Sequence, residues 1–403
     1  LGCKLIERVN NNRTSASITL MGTLLFLFTS ASAYNYFQFI YSERFLTFLI
    51  ALYAYHYSVY LDSGEQRNGR LALLFALFIP FFKDTAVLLA VIPAATTIVA
   101  GSLGAMPSRP AWGSIKPAEW RKVYALDIAI VSLALFFLAS FALLSALPSL
   151  AADVPRYDAH LGFSVLALDI RLILFLGFIA TRQWLIGRGQ ANVTALDGFN
   201  VAALTYGFAL YALVGLEGSS YMTLPIQFVA VLDILMIWEN LIAPKLKYRI
   251  NARQAQAAAI SSTLLLLNIE DRQAATFRQR AELISWQQRS WQTTLNKARD
   301  ITQSAKENGE TVNLIYSKGW FQHSDQMKDL TYDRLVYYDI DSRCYIIKAG
   351  IGKGQLYTPQ SGDYLVDIDT GKKLTKHGVD LSNYDVLYQE NPSRQYARIF
   401  RHR

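Results

Sequence analysis

"LALLFALFIPFFKDTAVLLAVIPAATTIVAG", Leu71–Gly101, is thirty-one residues long and carries all of its charge on two adjacent side chains, Lys83 and Asp84. As a single helix it would span about 46 Å at 1.5 Å per residue, more than a hydrocarbon layer of roughly 30 Å needs even with tilt. Pro80 lies one turn before Lys83 and weakens a helix there. The pattern predicts a chain reversal at Lys83–Asp84. Its two halves are short for full spans, which points to a re-entrant or steeply tilted hairpin sheltered by protein.

Loop charges weigh the same way. Treating Leu71–Gly101 as one span leaves eleven loop Lys/Arg on the inner side and six on the outer, whereas a reversal gives fifteen and three. Retention of basic loops on the cytoplasmic side favours the second count. The inner set is then Lys4, Arg8, Arg13, Arg67, Arg70, Arg109, Lys116, Arg121, Lys122, Arg182, Arg188, Lys245, Lys247, Arg249 and Arg253, and the outer set Arg44, Lys83 and Arg156.

The surrounding chain fits a membrane setting. It is 52% hydrophobic and 17% charged over 403 residues, too apolar for an ordinary soluble protein. Nearly uncharged runs occur at 14–42, 45–61, 71–101, 128–152, 161–181, 198–216, 218–243 and 254–269. From Glu270 onward the chain holds 20 Lys/Arg and 17 Asp/Glu, with apolar residues in short alternating groups. The expected organisation is therefore a multi-spanning α-helical membrane domain over 1–269, broken near 80–85, followed by a soluble α/β or α+β domain over 270–403. The net charge of +8 is dispersed over separate loops, which gives no ground for a nucleic-acid partner.

On this map Lys83 and Asp84 lie at the outer surface with other polar residues. "NYFQFIYSERFLTF" places Glu43 and Arg44 in a very short outer turn among Tyr34, Tyr36, Tyr41 and Phe45, which suits an interfacial belt. "SLAADVPRYDAHLGF" adds Asp153, Arg156, Asp158 and His160, and leads into a helix with Asp169 and Arg171. Those two charges, two residues apart, point to different helix faces, so each is expected to find a partner on another helix. Glu217 and Tyr221 complete the rim. Asp127, Asp233 and Glu239 fall at middle or inner depth and read as structural.

Three passages, "FIYSERFLTFLIALYAYHYSVYL", "GRLALLFALFIPFFKDTAVLLAVIP" and "YALVGLEGSSYMTLPIQFVAVL", resemble the membrane core of GT-C-type glycosyltransferases, including the protein O-mannosyltransferase-like and aminoarabinose-transferase-like branches. The likeness covers roughly residues 1–270 and the general form of the tail. It implies an enzyme that transfers a sugar from a polyprenyl-phosphate donor to a lipid, glycan or protein acceptor at the outer face of a bacterial inner membrane, with the tail extracytoplasmic. Family members carry acidic catalytic residues in the first outer loop. Here that loop is only the "SER" turn, so the catalytic acid is expected upstream of Leu1.

Within that resemblance Lys83, Arg44 and Arg171 are the expected donor-phosphate cations. Glu43 and Asp84 would orient them or share a divalent ion, and Asp158 and His160 would contact the acceptor. No clustered metal-ligand motif accompanies them.

In the tail, Phe277, Ala281, Ile284, Trp291, Leu295 and Ala298 form a helical stripe, predicting a helix over about 271–307. "TVNLIYS", "CYIIKAG", "DYLVDID", "YDVLYQE" and "YARIFRH" read as strands and "SDQMKDLTYDRL" as a short helix. With no Gly-rich nucleotide loop and no nucleophile elbow, an accessory, acceptor-binding or scaffold role is expected. Cys3 and Cys344 fall on opposite sides and so cannot pair within one chain. Two other classes fit a similar sequence: a non-catalytic scaffold of a cell-envelope assembly, and a lipid or polysaccharide transporter, which should show paired repeats with matching helix breaks.

Overall fold

The structure is a computed structural model that describes residues 16–37, 42–148, 170–214, 221–247, 252–273, 277–317, 327, 329–339, 342–347, 354–367, 378–390 and 397–403. The chain divides into two units, Leu1–Ala281 and Glu282–Arg403. The first is a helical region with three long apolar helical stretches, and the second is built on a seven-stranded mixed sheet.

The first unit opens with α1 (Ala16–Leu27) and α2 (Ser30–Phe37). Next comes a hairpin of α3 (Glu43–Ser63) and α4 (Gln66–Phe82). Gly64 closes α3 in the left-handed conformation, at φ 70°, with its N–H bonded to the Tyr60 carbonyl. A side chain there would be strained. Along α3 the stripe Leu46, Ile50, Tyr53, Tyr57 and Tyr60 is buried at three- and four-residue spacing, the period of one helix face.

The stretch quoted at the outset is two helices. α4 stops at Phe82, two residues after Pro80, and Lys83 is extended at φ −163°, ψ 128°. A single 3-10 turn, Asp84–Ala86, then leads into α5 (Val87–Ser102). The direction of α5 follows from its contacts with α3: the Tyr53 hydroxyl donates to the Ala90 carbonyl (2.9 Å), and four residues further along α3 the Tyr57 hydroxyl meets Thr97 Oγ1 (2.8 Å). α5 therefore descends beside α3, antiparallel to α4.

The remaining helices are α6 (Pro117–Val123), α7 (Ala125–Phe141), α8 (Ile170–Gly187), α9 (Ala195–Val214), α10 (Leu224–Ile237), α11 (Ala243–Lys247) and α12 (Ala252–Gln273). α9 lies close on α5, because a Cβ at Gly198 would come within 2.9 Å of the Pro93 backbone. Among the described residues three stretches are long and apolar enough to cross a membrane: Asp84–Ser102 (19 residues), Ala125–Ala146 (22 residues) and Tyr221–Lys245 (25 residues). The middle one leaves Leu135, Phe136, Leu143 and Leu144 exposed, an apolar surface that a lipid environment would cover.

The second unit holds α13 (Phe277–Glu307) from Glu282 onward, and this part of the helix packs Leu295, Ala298 and Ala305 on one face of the sheet, against Leu314, Tyr316 and Val366. The strands are β1 (Asn313–Ser317), β2 (Arg334–Asp339), β3 (Cys344–Ile347), β4 (Gln355–Tyr357), β5 (Tyr364–Asp367), β6 (Tyr384–Gln389) and β7 (Arg398–His402). Their order is β4-β3-β2-β1-β5-β7-β6, with β1 parallel to β2 and β5 and the other pairs antiparallel. Ile315, Val336, Leu365 and Phe400 fill the opposite face.

The sequence reading is corrected in this unit. The short helix expected over Ser324–Leu335 cannot run to its end, because Arg334 and Leu335 already belong to β2. The alternation of "RLVYYD", with Leu335, Val336 and Tyr338 buried, meets both sheet faces and outweighs the polar helix-like run before it.

Candidate functional site

Glu43 occupies the first turn of α3, where a carboxylate is favoured by the helix dipole. The break after α4 carries Lys83 back to that helix end. Its Nζ lies 3.5 Å from Glu43 Oε1, with the two side chains 13% and 6% exposed, and 6.0 Å from the centre of the Tyr221 ring. Asp84 accepts the Thr85 N–H (2.7 Å), holding the turn that aims Lys83.

Residues from two further elements hold the Tyr221–Met222 turn. The Asn35 amide of α2 donates to the Tyr221 carbonyl (2.9 Å), and the Tyr206 hydroxyl of α9 donates to the Met222 carbonyl (3.3 Å). Asn35 and Tyr206 are fully buried. The result is a polar rim at the end where α3 begins, built from Glu43, Lys83, Tyr206 and Tyr221. It couples a cation to an aromatic face within a mainly apolar bundle.

The other two expected phosphate cations are placed differently. The Arg44 guanidinium lies over the Phe45 ring at 5.3 Å. Arg171 begins α8 inside the bundle and donates to Gln227 Oε1 (3.2 Å), while Gln227 donates to the Leu25 carbonyl (3.1 Å). Asp153, Arg156, Asp158, His160, Asp169 and Glu217 lie outside the described residues. Among the described residues no group of three or more His, Cys, Asp and Glu side chains comes together to hold a metal ion.

A second polar cluster sits about 21 Å further along α3, fourteen residues from Glu43 at 1.5 Å each. There the Tyr57 hydroxyl hydrogen-bonds the fully buried carboxylate of Asp127, and Arg109 approaches it at 3.9 Å. Arg109 is wedged between the rings of Tyr60 and Tyr124 (5.4 and 5.6 Å) and donates to the Val123 carbonyl. On α10 Asp233 accepts from Asn200 (2.8 Å). Arg182 grips Asp197 with two 2.8 Å bonds. These groups tie helices together, which matches the structural reading of Asp127 and Asp233.

Sequence reasoning singled out Lys83, Glu43 and Tyr221 and counted Arg109 only as an inner loop charge, but missed Asn35, Tyr206, Tyr57 and Asn200. A signal existed for Tyr57 alone, since it continues the apolar stripe of α3. Comparison of the chain with protein-family models, curated proteins and solved structures finds no match.

Proposed function

We propose that this chain is the membrane core and attached sheet domain of a GT-C-like glycosyltransferase, using a polyprenyl-phosphate-linked sugar as donor and a lipid, glycan or protein as acceptor. The carrying observation is Lys83: a break between two apolar helices delivers a cation to a polar rim, held there by Glu43 at 3.5 Å. An ammonium has three donors, and among the described residues Glu43 is its one hydrogen-bonded partner. A phosphate oxygen would complete its coordination, in a low-dielectric surround where positioned charge acts strongly. Glu43 and Asp84 are then orienting carboxylates, Arg44 a further phosphate contact and Arg171 an internal brace. The rim faces the extracytoplasmic side of a bacterial inner membrane.

The test uses the full-length protein in nanodiscs. Lys83→Ala should lower transfer by one to two orders of magnitude if the cation supplies about 1.5–3 kcal/mol of charge-assisted hydrogen bonding. Lys83→Arg should retain more activity, though not all, because a planar fork replaces a point charge. Binding of a short polyprenyl phosphate should weaken in parallel. Unchanged binding and transfer by a folded Lys83→Ala variant would refute the assignment and favour the scaffold reading.

A further inference from the structure

At the far end of the bundle from Lys83, residues 103–124 join two of the three stretches long enough to cross a membrane. This connection is pinned in place. The Trp112 N–H bonds the Ser102 carbonyl (2.8 Å), the Val193 N–H bonds the Ala105 carbonyl (3.2 Å), and the Tyr124 hydroxyl donates to the Pro110 carbonyl (3.0 Å). Buried Arg109 locks it from beneath through Tyr60, Tyr124 and Asp127. Its outward face is aromatic and basic. Trp112 is 66% exposed and stands edge-on to Trp120 at 4.9 Å, and Lys116, Arg121 and Lys122 are exposed on and beside α6, with Glu119 as the one exposed acid of that helix. At the same end Arg188 lies over exposed Trp184 at 4.1 Å.

We infer that the 103–124 connection is a preformed platform for the headgroups of anionic phospholipids. Three properties select that partner. The flanking apolar stretches set the platform at the bilayer boundary. Indole rings with one exposed edge favour the headgroup level. Cations near a negatively charged leaflet each contribute about fivefold in binding, and a rigid loop loses little entropy when the lipid arrives. The surface is separate from the Lys83 rim and does not rest on the glycosyltransferase reading.

The experiment reads tryptophan fluorescence of the full chain in phosphatidylcholine nanodiscs that contain a small fraction of brominated lipid. Brominated phosphatidylglycerol should quench more strongly than brominated phosphatidylcholine at equal fraction. Trp112→Phe should remove much of that difference, and raising the salt should shrink it. The triple variant Lys116→Gln/Arg121→Gln/Lys122→Gln should lower the preference on the order of tenfold or more, whereas Lys116→Arg/Lys122→Arg should keep it. Equal quenching of the wild-type chain by both lipids would overturn the inference. So would a preference that survives neutralisation of all three cations.

Discussion

The ion pair at the α4–α5 break offers a perturbation that separates folding from function. Glu43 and Lys83 are 3.5 Å apart and nearly enclosed. At an effective dielectric of about 20 their gross attraction is about 5 kcal/mol, and removing two charges from water offsets it by several kcal/mol per ion. The pair should therefore add little net stability while each member alone is costly. Glu43→Met or Lys83→Met should destabilise by about 3–5 kcal/mol, because each strands a buried charge. The double variant should lie within about 1–2 kcal/mol of the original chain, giving a coupling energy above 2 kcal/mol. Unfolding in detergent, followed by tryptophan fluorescence, measures all four corners of the cycle. The double variant then has a second use: it should be folded yet bind polyprenyl phosphate weakly. Additive single effects would refute the energetic argument, and undiminished phosphate binding by the stable double variant would refute the role of Lys83.

Two further outcomes follow from the remaining charge clusters. Asp127→Ala leaves Arg109, 9% exposed, without its counter-charge and should cost about 3–5 kcal/mol, while Tyr57→Phe removes one charge-assisted hydrogen bond and should cost about 1.5–3 kcal/mol; the same unfolding assay ranks them. In the sheet unit, the Lys306 ammonium (2.7 and 2.9 Å) and the Val312 N–H (2.8 Å) hold the Asp333 carboxyl below the usual carboxylate range. A depressed folded value stabilises the fold above the unfolded value of about 4, and this contribution is lost as pH falls through the folded value. Unfolding between pH 7 and pH 2 should show that loss in the original chain and not in Asp333→Asn, and identical pH profiles would sink the argument.

How much of this was legible in the sequence depends on how local the cause is. The break at Lys83 was readable, because Pro80 and two adjacent charges interrupt an apolar run too long for one span. Five of the seven strands were readable as alternating runs, since period-two patterning is a local property. β2 was hidden behind a polar stretch, and β4 is only three residues long, below the length at which alternation can be seen. The partners were not readable. Nothing in the apolar patterning of "YALDIAIV" pairs Asp127 with Tyr57 seventy residues earlier, and nothing around Asn35 pairs it with the Tyr221 carbonyl 186 residues later. Such pairs are selected by how helices pack, which hydropathy does not encode. Of the eight weakly charged runs, the described residues yield three helical stretches long and apolar enough to cross a membrane, and the described part of 14–42 holds two shorter helices.

The two ends of the bundle also differ in how exchangeable their charges are, and that difference bears on where a ligand would act. Arg182 is committed, with both arms of its fork on Asp197 at 2.8 Å, and an anion that displaced the carboxylate would have to break two short parallel bonds. Arg109 is held at 3.9 Å from Asp127, yet its planar face is clamped between two aromatic rings and its backbone bond to Val123 closes the cage. Lys83 has neither constraint. It is a point charge on a flexible stem, its contact with Glu43 is long at 3.5 Å, and the extended backbone at its own position leaves the neighbouring turn rather than a regular helix to orient it. A phosphate approaching that rim could share the ammonium without dismantling a helix contact, because the cation has donors to spare and Glu43 can stay where the start of α3 places it. An anion at the opposite end would find its cations either locked into the packing or, as with Lys116, Arg121 and Lys122, already turned outward to the surface.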